Sequence, residues 1–323
     1  MRGKEKWRKE MFFKKKKIEQ IQNGDELPFT SRANGVSSQL IKDDDIQIDE
    51  VLLESAMHKL NQMVGLTPVK EDIKNLVQMQ KLNIERKSRG MKIAQISNHL
   101  VFTGNPGTGK TTVARIIADI YKALNLVEHG QLVETDRSGL VGQYQGQTEI
   151  KTKQVLSEAD GGVLFIDEAY SLAIGDNDYG QRAIEIILKE MEDNRDNLIV
   201  IVAGYTNEME QFLNSNPGLS SRFGRTIHFD NYNQNEMYVI AQSYAVQNGY
   251  ILDNSCFDIL PNYFTLQSKA PDFANGRLAR KLVESCIKAQ SARLSMNNSL
   301  TELTDKDLDT IIAADCEKAI QLI

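Results

Sequence analysis

Gly104-Asn105-Pro106-Gly107-Thr108-Gly109-Lys110-Thr111 is the stretch on which the reading of this chain turns. An apolar run, His99-Leu100-Val101-Phe102-Thr103, precedes it. A helical pattern with Val113, Ala114, Ile116, Ile117 and Ile120 follows. The octapeptide matches G-x-x-x-x-G-K-[ST] in a strand–loop–helix setting. Each residue type has a physical reason to be there. Glycines let the backbone turn tightly and aim successive N–H groups at phosphate oxygens. The helix N-terminus adds a partial positive charge. Lys110 is placed to bridge the β- and γ-phosphates, and the Thr111 hydroxyl to ligate Mg²⁺. Asn105, Pro106, Gly107, Thr108, Gly109, Lys110, Thr111 and Thr112 are the candidate phosphate-binding residues. No G-x-G-x-x-G is present, which excludes a dinucleotide fingerprint.

Working outward, Gly162-Val163-Leu164-Phe165-Ile166-Asp167-Glu168-Ala169 is an apolar strand ending in two carboxylates. Neighbours on a strand face opposite ways, so the two acids take different tasks. Asp167 suits the Mg²⁺ shell, and Glu168 suits polarising an attacking water. The next apolar run, Leu198–Gly204, ends at Tyr205-Thr206-Asn207, polar groups placed to report a γ-phosphate or to form an ordinary turn. Pro217–Arg225 reads as a loop before a strand, Thr226–Phe229. Its two arginines, Arg222 and Arg225, are either solvated or reach a neighbouring subunit's phosphate. Residues 231–323 read as all helix, with Arg277 at the start of a helix opened by Asn275-Gly276.

Upstream, Thr67 is the expected N-cap of a helix with Pro68 at its first position and a stripe of Val69, Ile73, Leu76, Val77 and Ile84. Order is expected to begin near residue 48, with Val51, Leu52, Ala56, Leu60, Met63 and Val64 at helical spacing. Residues 1–17 hold nine basic and two acidic residues, a candidate contact for an anionic partner or a solvated tail. Residues 22–50 are rich in Asn, Gly, Ser and Asp and read as a linker.

Composition bounds the rest. Of 323 residues, 41% are hydrophobic and 25% charged, an ordinary globular balance with a prior of about two domains. A net charge of −6 gives no reason to expect a nucleic-acid-coating protein. Cys256, Cys286 and Cys316 exclude a disulfide scaffold and read as small core hydrophobes on helices. His58, His99, His129 and His228 are too scattered for zinc. No run approaches the ~18 apolar residues of a membrane span, and no secretory h-region is present, so the expected location is cytoplasmic.

In order along the chain, the phosphate loop, the Asp-Glu strand, the sensing strand, Ser-Arg-Phe and the lid arginine resemble an AAA+ ATPase. More narrowly, Val64-Gly65-Leu66, Gly104–Thr112, Gly139–Tyr144, Leu164–Leu172, Tyr179–Gln181, Ala203–Tyr205, Asn216–Gly218 and Asn275–Arg277 resemble the CbxX/CfqX family over roughly residues 55–295. That group includes stage V sporulation protein K and the red-type Rubisco activase. The resemblance implies an α/β P-loop NTPase core with a parallel central sheet flanked by helices (51–230), a helical lid (231–323) and a disordered basic extension with linker (1–50). It implies Mg²⁺ and ATP as cofactor and substrate. Val64, Gly65 and Leu66 take the adenine segment. Arg222, with Arg225 as runner-up, takes the arginine finger, and Arg277 the second sensor. The first sensor falls at Tyr205 by spacing, or at Asn207.

Tyr144, Gln145 and Gly146 fall where relatives carry a pore loop, with Gln145 replacing the usual aliphatic residue and removing apolar grip. The implied function is a ring-forming, hexameric protein remodeller with a protein client. A slow nucleotide-gated switch and a DNA-associated AAA+ ATPase are the alternatives, and the acidic remainder argues against the second.

Overall fold

The fold is taken from a computed structural model that describes residues 48–94, 96–144, 146–174, 179–195, 197–296 and 302–322. The basic segment 1–17, the 22–50 linker up to residue 47, and Gln145 lie outside the described residues.

Helix α1 (Glu50–Gln62) opens on Asp49, whose side chain accepts the Leu52 N–H at 2.9 Å. It buries Leu53, Ala56 and Leu60, while Val51 of the expected stripe stands exposed. Helix α2 (Thr67–Ser88) buries Val69, Ile73, Leu76 and Val77 as the stripe requires. Its N-cap is Leu66 and not Thr67, which is already helical. The chain enters through two successive left-handed residues, Gly65 (φ 59°) and Leu66 (φ 56°), and this tight entry moves the cap back by one.

Five parallel strands follow: β1 (Leu100–Gly104), β2 (Leu132–Thr135), β3 (Val163–Ile166), β4 (Ile199–Gly204) and β5 (Arg225–Phe229). Their order is β2-β3-β4-β1-β5, with Leu100 opposite both Ile201 and Arg225. Side chains alternate across the sheet with a period of two. Phe102, Phe165, Ile201 and Phe229 enter one core, and Val101, Leu164, Ile166 and Val200 the other. Both faces are therefore buried, which is why the strands read as continuous apolar runs. β2 escaped the sequence because it is a short edge strand, only half buried.

Helices α3 (Lys110–Ala123), α4 (Arg137–Leu140), α5 (Gln147–Ala159), α6 (Tyr179–Asp193), α7 (Thr206–Asn214) and α8 (Pro217–Arg222) surround the sheet. α8 corrects the expected loop. Asn216 caps it by accepting the Gly218 N–H at 2.8 Å, with Pro217 in its first turn. The strand after it begins at Arg225, one residue early.

The C-terminal region holds α9 (Gln234–Gln247), α10 (Leu260–Gln267), α11 (Asn275–Ser295), α12 (Asp305–Asp309) and α13 (Ala313–Leu322). It is not all helix. β6 (Ile251–Leu252) and β7 (Thr310–Ile311) pair in parallel, too short to leave a period-two pattern. Cys286 and Cys316 are buried on α11 and α13, whereas Cys256 sits on a 3-10 turn and not on an α-helix. The Cys316 sulfur lies 3.4 Å from that of Cys256 and 3.8 Å from that of Cys286.

Candidate nucleotide site

β1 lies between β4 and β5, where the direction of chain progression across the sheet reverses, and ligands bind at the carboxyl ends of strands at such a point. The loop after β1 leads directly into α3, whose first residue is Lys110. Gly107 (φ 73°) and Gly109 (φ 98°) are left-handed, and a Cβ on Gly107 would run into the Ala274 carbonyl. The glycine pattern therefore serves both the turn and a close approach of α11.

A cavity of about 510 Å³ opens between this loop, the ends of β3 and β4, and helices α9 and α11. Of the expected residues, it brings together Val64, Pro106, Gly107, Gly109, Lys110, Thr111, Thr112, Asp167, Glu168, Tyr205 and Arg277. Gly65, Leu66, Asn105 and Thr108 are not among its lining. Tyr205 is on the wall and Asn207 is not; Asn207 is exposed on the first turn of α7.

Lys110 is buried, and its Nζ donates to the Gly104 and Asn105 carbonyls at 2.7 and 2.8 Å. Burial pulls its pKa down to about 8, opposed by Asp167 and Glu168 and reinforced by Arg277. Asp167 accepts the Glu168 N–H on Oδ1 at 3.0 Å, and its own N–H bonds to the Thr135 carbonyl at 2.9 Å. Glu168 has φ 48° and opens the 3-10 turn Ala169–Ala173, so its carboxylate leaves the strand in a direction no regular strand residue would give. Tyr170 lies beside Tyr205 with ring centroids 6.1 Å apart. Its hydroxyl pKa is pushed up to about 12 by burial and by Glu168.

The donor set fits the expected ligands. Thr111 and Asp167 offer the hard oxygen donors that Mg²⁺ takes, beside a cradle of backbone N–H groups, a cationic amine and a guanidinium. Among the described residues there is no cluster of three or more His, Cys, Asp or Glu that could hold another metal.

Several lining residues were missed by the sequence reading: Tyr232, Tyr244 and Arg280 among them. Tyr232 Oη donates to the Thr108 carbonyl at 3.0 Å, and burial with Glu236 nearby pushes its pKa up to about 12. A lone tyrosine beyond β5 carries no signal of this. Arg280 rests over the Tyr244 ring at 5.7 Å. Its spacing of three from Arg277 puts both on one helix face, a signal that was there to be used.

Arg222, Arg225 and Tyr144 do not line the cavity. Arg222 pairs with Glu192 of α6 at 3.0 Å, and its buried Nε has no partner among the described residues. Arg225 turns back to α2, approaching the Asp72 carbonyl and the Met79 sulfur. Tyr144 is 68% exposed, and Gly146 (φ 83°) begins α5 beyond it.

Residues 100–231 match the ATPase family associated with various cellular activities (AAA), and residues 233–322 match the AAA lid domain. Protein CbxX of the Cupriavidus necator plasmid is 42% identical over 79% of this chain and 80% of its own length. Stage V sporulation protein K of Bacillus subtilis is 38% identical over 82% of both.

The chain is an AAA+ ATPase of the CbxX/CfqX family.

It hydrolyses ATP with Mg²⁺, as its family does. ESX-3 secretion system protein EccA3 of Mycobacterium leprae is 38% identical over 84% of this chain, which spans only 45% of that relative's length. Among solved structures, the FIGL-1 AAA domain shares the fold at a TM-score of 0.57 and 17% identity, covering 88% of this chain and 87% of that one. Among the described residues, no helix is long and apolar enough to cross a membrane.

Proposed function

We propose that this AAA+ ATPase is a cytoplasmic protein remodeller that works as a hexameric ring, with residues 51–230 as its nucleotide-binding domain and 231–323 as its lid. The observation that carries the reading is the position of Arg222. The cavity of a single chain holds the phosphate loop, Asp167, Glu168 and Arg277, yet Arg222 stands outside it on α8. An arginine in that place stabilises transition-state charge only in a neighbour's site. Lys110 and Thr111 hold the phosphates, and Thr111 and Asp167 would hold Mg²⁺, which would supply charge neutralisation there. Glu168 takes the proton of the attacking water. Tyr144, exposed before Gly146, is the surface offered to a protein client.

The test is steady-state ATPase rate against protein concentration, for wild type mixed with Arg222→Ala in varying ratios. Specific activity that rises with concentration, and falls faster than the fraction of variant added, is expected. A specific activity flat in concentration and linear in mixing overturns the ring and leaves a nucleotide switch acting as single chains.

A further inference from the structure

Five successive carbonyls of the phosphate loop, Gly104 to Thr108, are each taken by a donor. Lys110 holds the first two. The other three are held from beyond the five-stranded sheet. Asn275 Nδ2 donates to the Pro106 carbonyl at 3.3 Å, the Gly276 N–H to the Gly107 carbonyl at 3.0 Å, and Tyr232 Oη to the Thr108 carbonyl at 3.0 Å. In a planar trans peptide the C=O and the next N–H point opposite ways. Holding those three carbonyls from behind therefore aims the N–H groups of Gly107, Thr108 and Gly109 forward.

Asn275 is the centre of this arrangement. It is fully buried and left-handed (φ 45°), an uncommon place for a residue other than glycine. Its Oδ1 accepts the Tyr232 N–H at 2.9 Å. Its two Nδ2 hydrogens are shared between the Pro106 carbonyl and two nearer acceptors, the Phe273 carbonyl and Asn231 Oδ1, both at 2.9 Å. Asn231 Oδ1 in turn accepts from Asn105 Nδ2 of the phosphate loop at 3.0 Å. One buried carboxamide thus joins the first turn of α11, the connection after β5 and the phosphate loop.

We propose that Asn275 is a positioning residue that gears the phosphate-binding amides to the lid. Moving α11 away breaks the bonds that aim the Gly107 and Thr108 N–H groups, and phosphate bound to those groups holds α11 in place. Lid position and phosphate affinity are then linked reciprocally.

Two substitutions at this position separate backbone from amide. Asn275→Asp keeps the size and one accepting oxygen but sets an acceptor against three others. Asn275→Gly keeps the left-handed backbone and removes the amide. Dissociation constants for ATP, ADP and adenosine are measured by calorimetry, together with hydrogen exchange across residues 104–110. Both variants are expected to weaken ATP and ADP about tenfold. Adenosine affinity is expected to hold, and exchange at Gly107–Gly109 to quicken. A residue that merely supports the lid would lower the melting temperature and leave the ratio of adenosine to ATP affinity at its wild-type value, and that result overturns the proposal. Should neither variant fold, hydrogen exchange of the wild-type chain with and without saturating ADP decides. Slowed exchange at both Gly107–Gly109 and the Gly276 N–H is expected, and slowing confined to the loop overturns the proposal.

Discussion

The phosphate loop and the Arg222 surface, each proposed above to offer a cationic group to phosphate, are held in opposite ways. The loop is gripped by buried donors from three directions, and Lys110 is itself buried. Arg222 rests on an ion pair to Glu192, a side chain 62% exposed, and on a long 3.5 Å bond to the Gly218 carbonyl, with its own Nε buried and unpaired among the described residues. An exposed pair contributes about 0–1 kcal/mol. An unsatisfied buried donor costs about 1–3 kcal/mol. The loop is preorganised within one chain, whereas Arg222 sits in a place that is cheap to leave. Binding and turnover should therefore respond to different perturbations.

The largest separation is expected from Glu168→Gln. It retains the shape of the turn and removes the base, so phosphate release should fall by about 10²–10⁴-fold while ATP binding stays near wild type. Turnover near wild type would remove Glu168 from the chemistry and erase the contrast. A second effect belongs to the Arg222 side. His99 is buried, accepts the Val200 N–H on Nδ1 at 3.0 Å, and touches Phe223 edge-on. Burial, then Arg222, lower its pKa to about 4 from 6.5. The unfolded chain thus binds this proton more readily. The stability tied to neutral His99 is complete above pH 6.5 and is lost as pH falls toward 4, at most about 3 kcal/mol. Urea midpoints measured from pH 7 to 4.5 should fall more for wild type than for His99→Gln, and parallel curves would refute the assignment.

The smallest effect sharpens the loop side. Lys110, lowered to about 8, must be protonated to attract phosphate, so ATP affinity should weaken above pH 8 by up to about tenfold per unit. Adenosine affinity should not follow it. A flat ATP profile from pH 7 to 9.5 would place the protonated amine outside the binding energy.

Local chemistry made much of this legible. Gly104–Thr111 declares itself because a phosphate cradle needs glycines, lysine and threonine at set spacing, and Asp167-Glu168 follows because it closes a buried strand. The family resemblance extended that to the lid arginine and to the sheet. What stayed hidden depends on distant parts of the chain. Asn275 and Tyr232 gain meaning only from carbonyls more than a hundred residues earlier in the chain. β2 is an edge strand with a faint pattern, and α8 is a single capped turn and a half where two arginines suggested a loop. Leu66 displaced Thr67 as cap through a left-handed pair that propensity does not foresee.

Leu66, Glu168 and Asn275 are three of the four described non-glycine residues with clearly positive φ, and all three flank the nucleotide cavity. Each costs roughly 1–3 kcal/mol, carried by the two cores on either side of the sheet. An engineer who selects variants for heat resistance alone will be drawn to glycine at Glu168, whose side chain is exposed and whose left-handed backbone glycine would relax. Such a campaign would harvest thermostable chains with a disarmed pocket. That position is better frozen at the outset, and added stability sought in the edge strand β2 and the exposed turns.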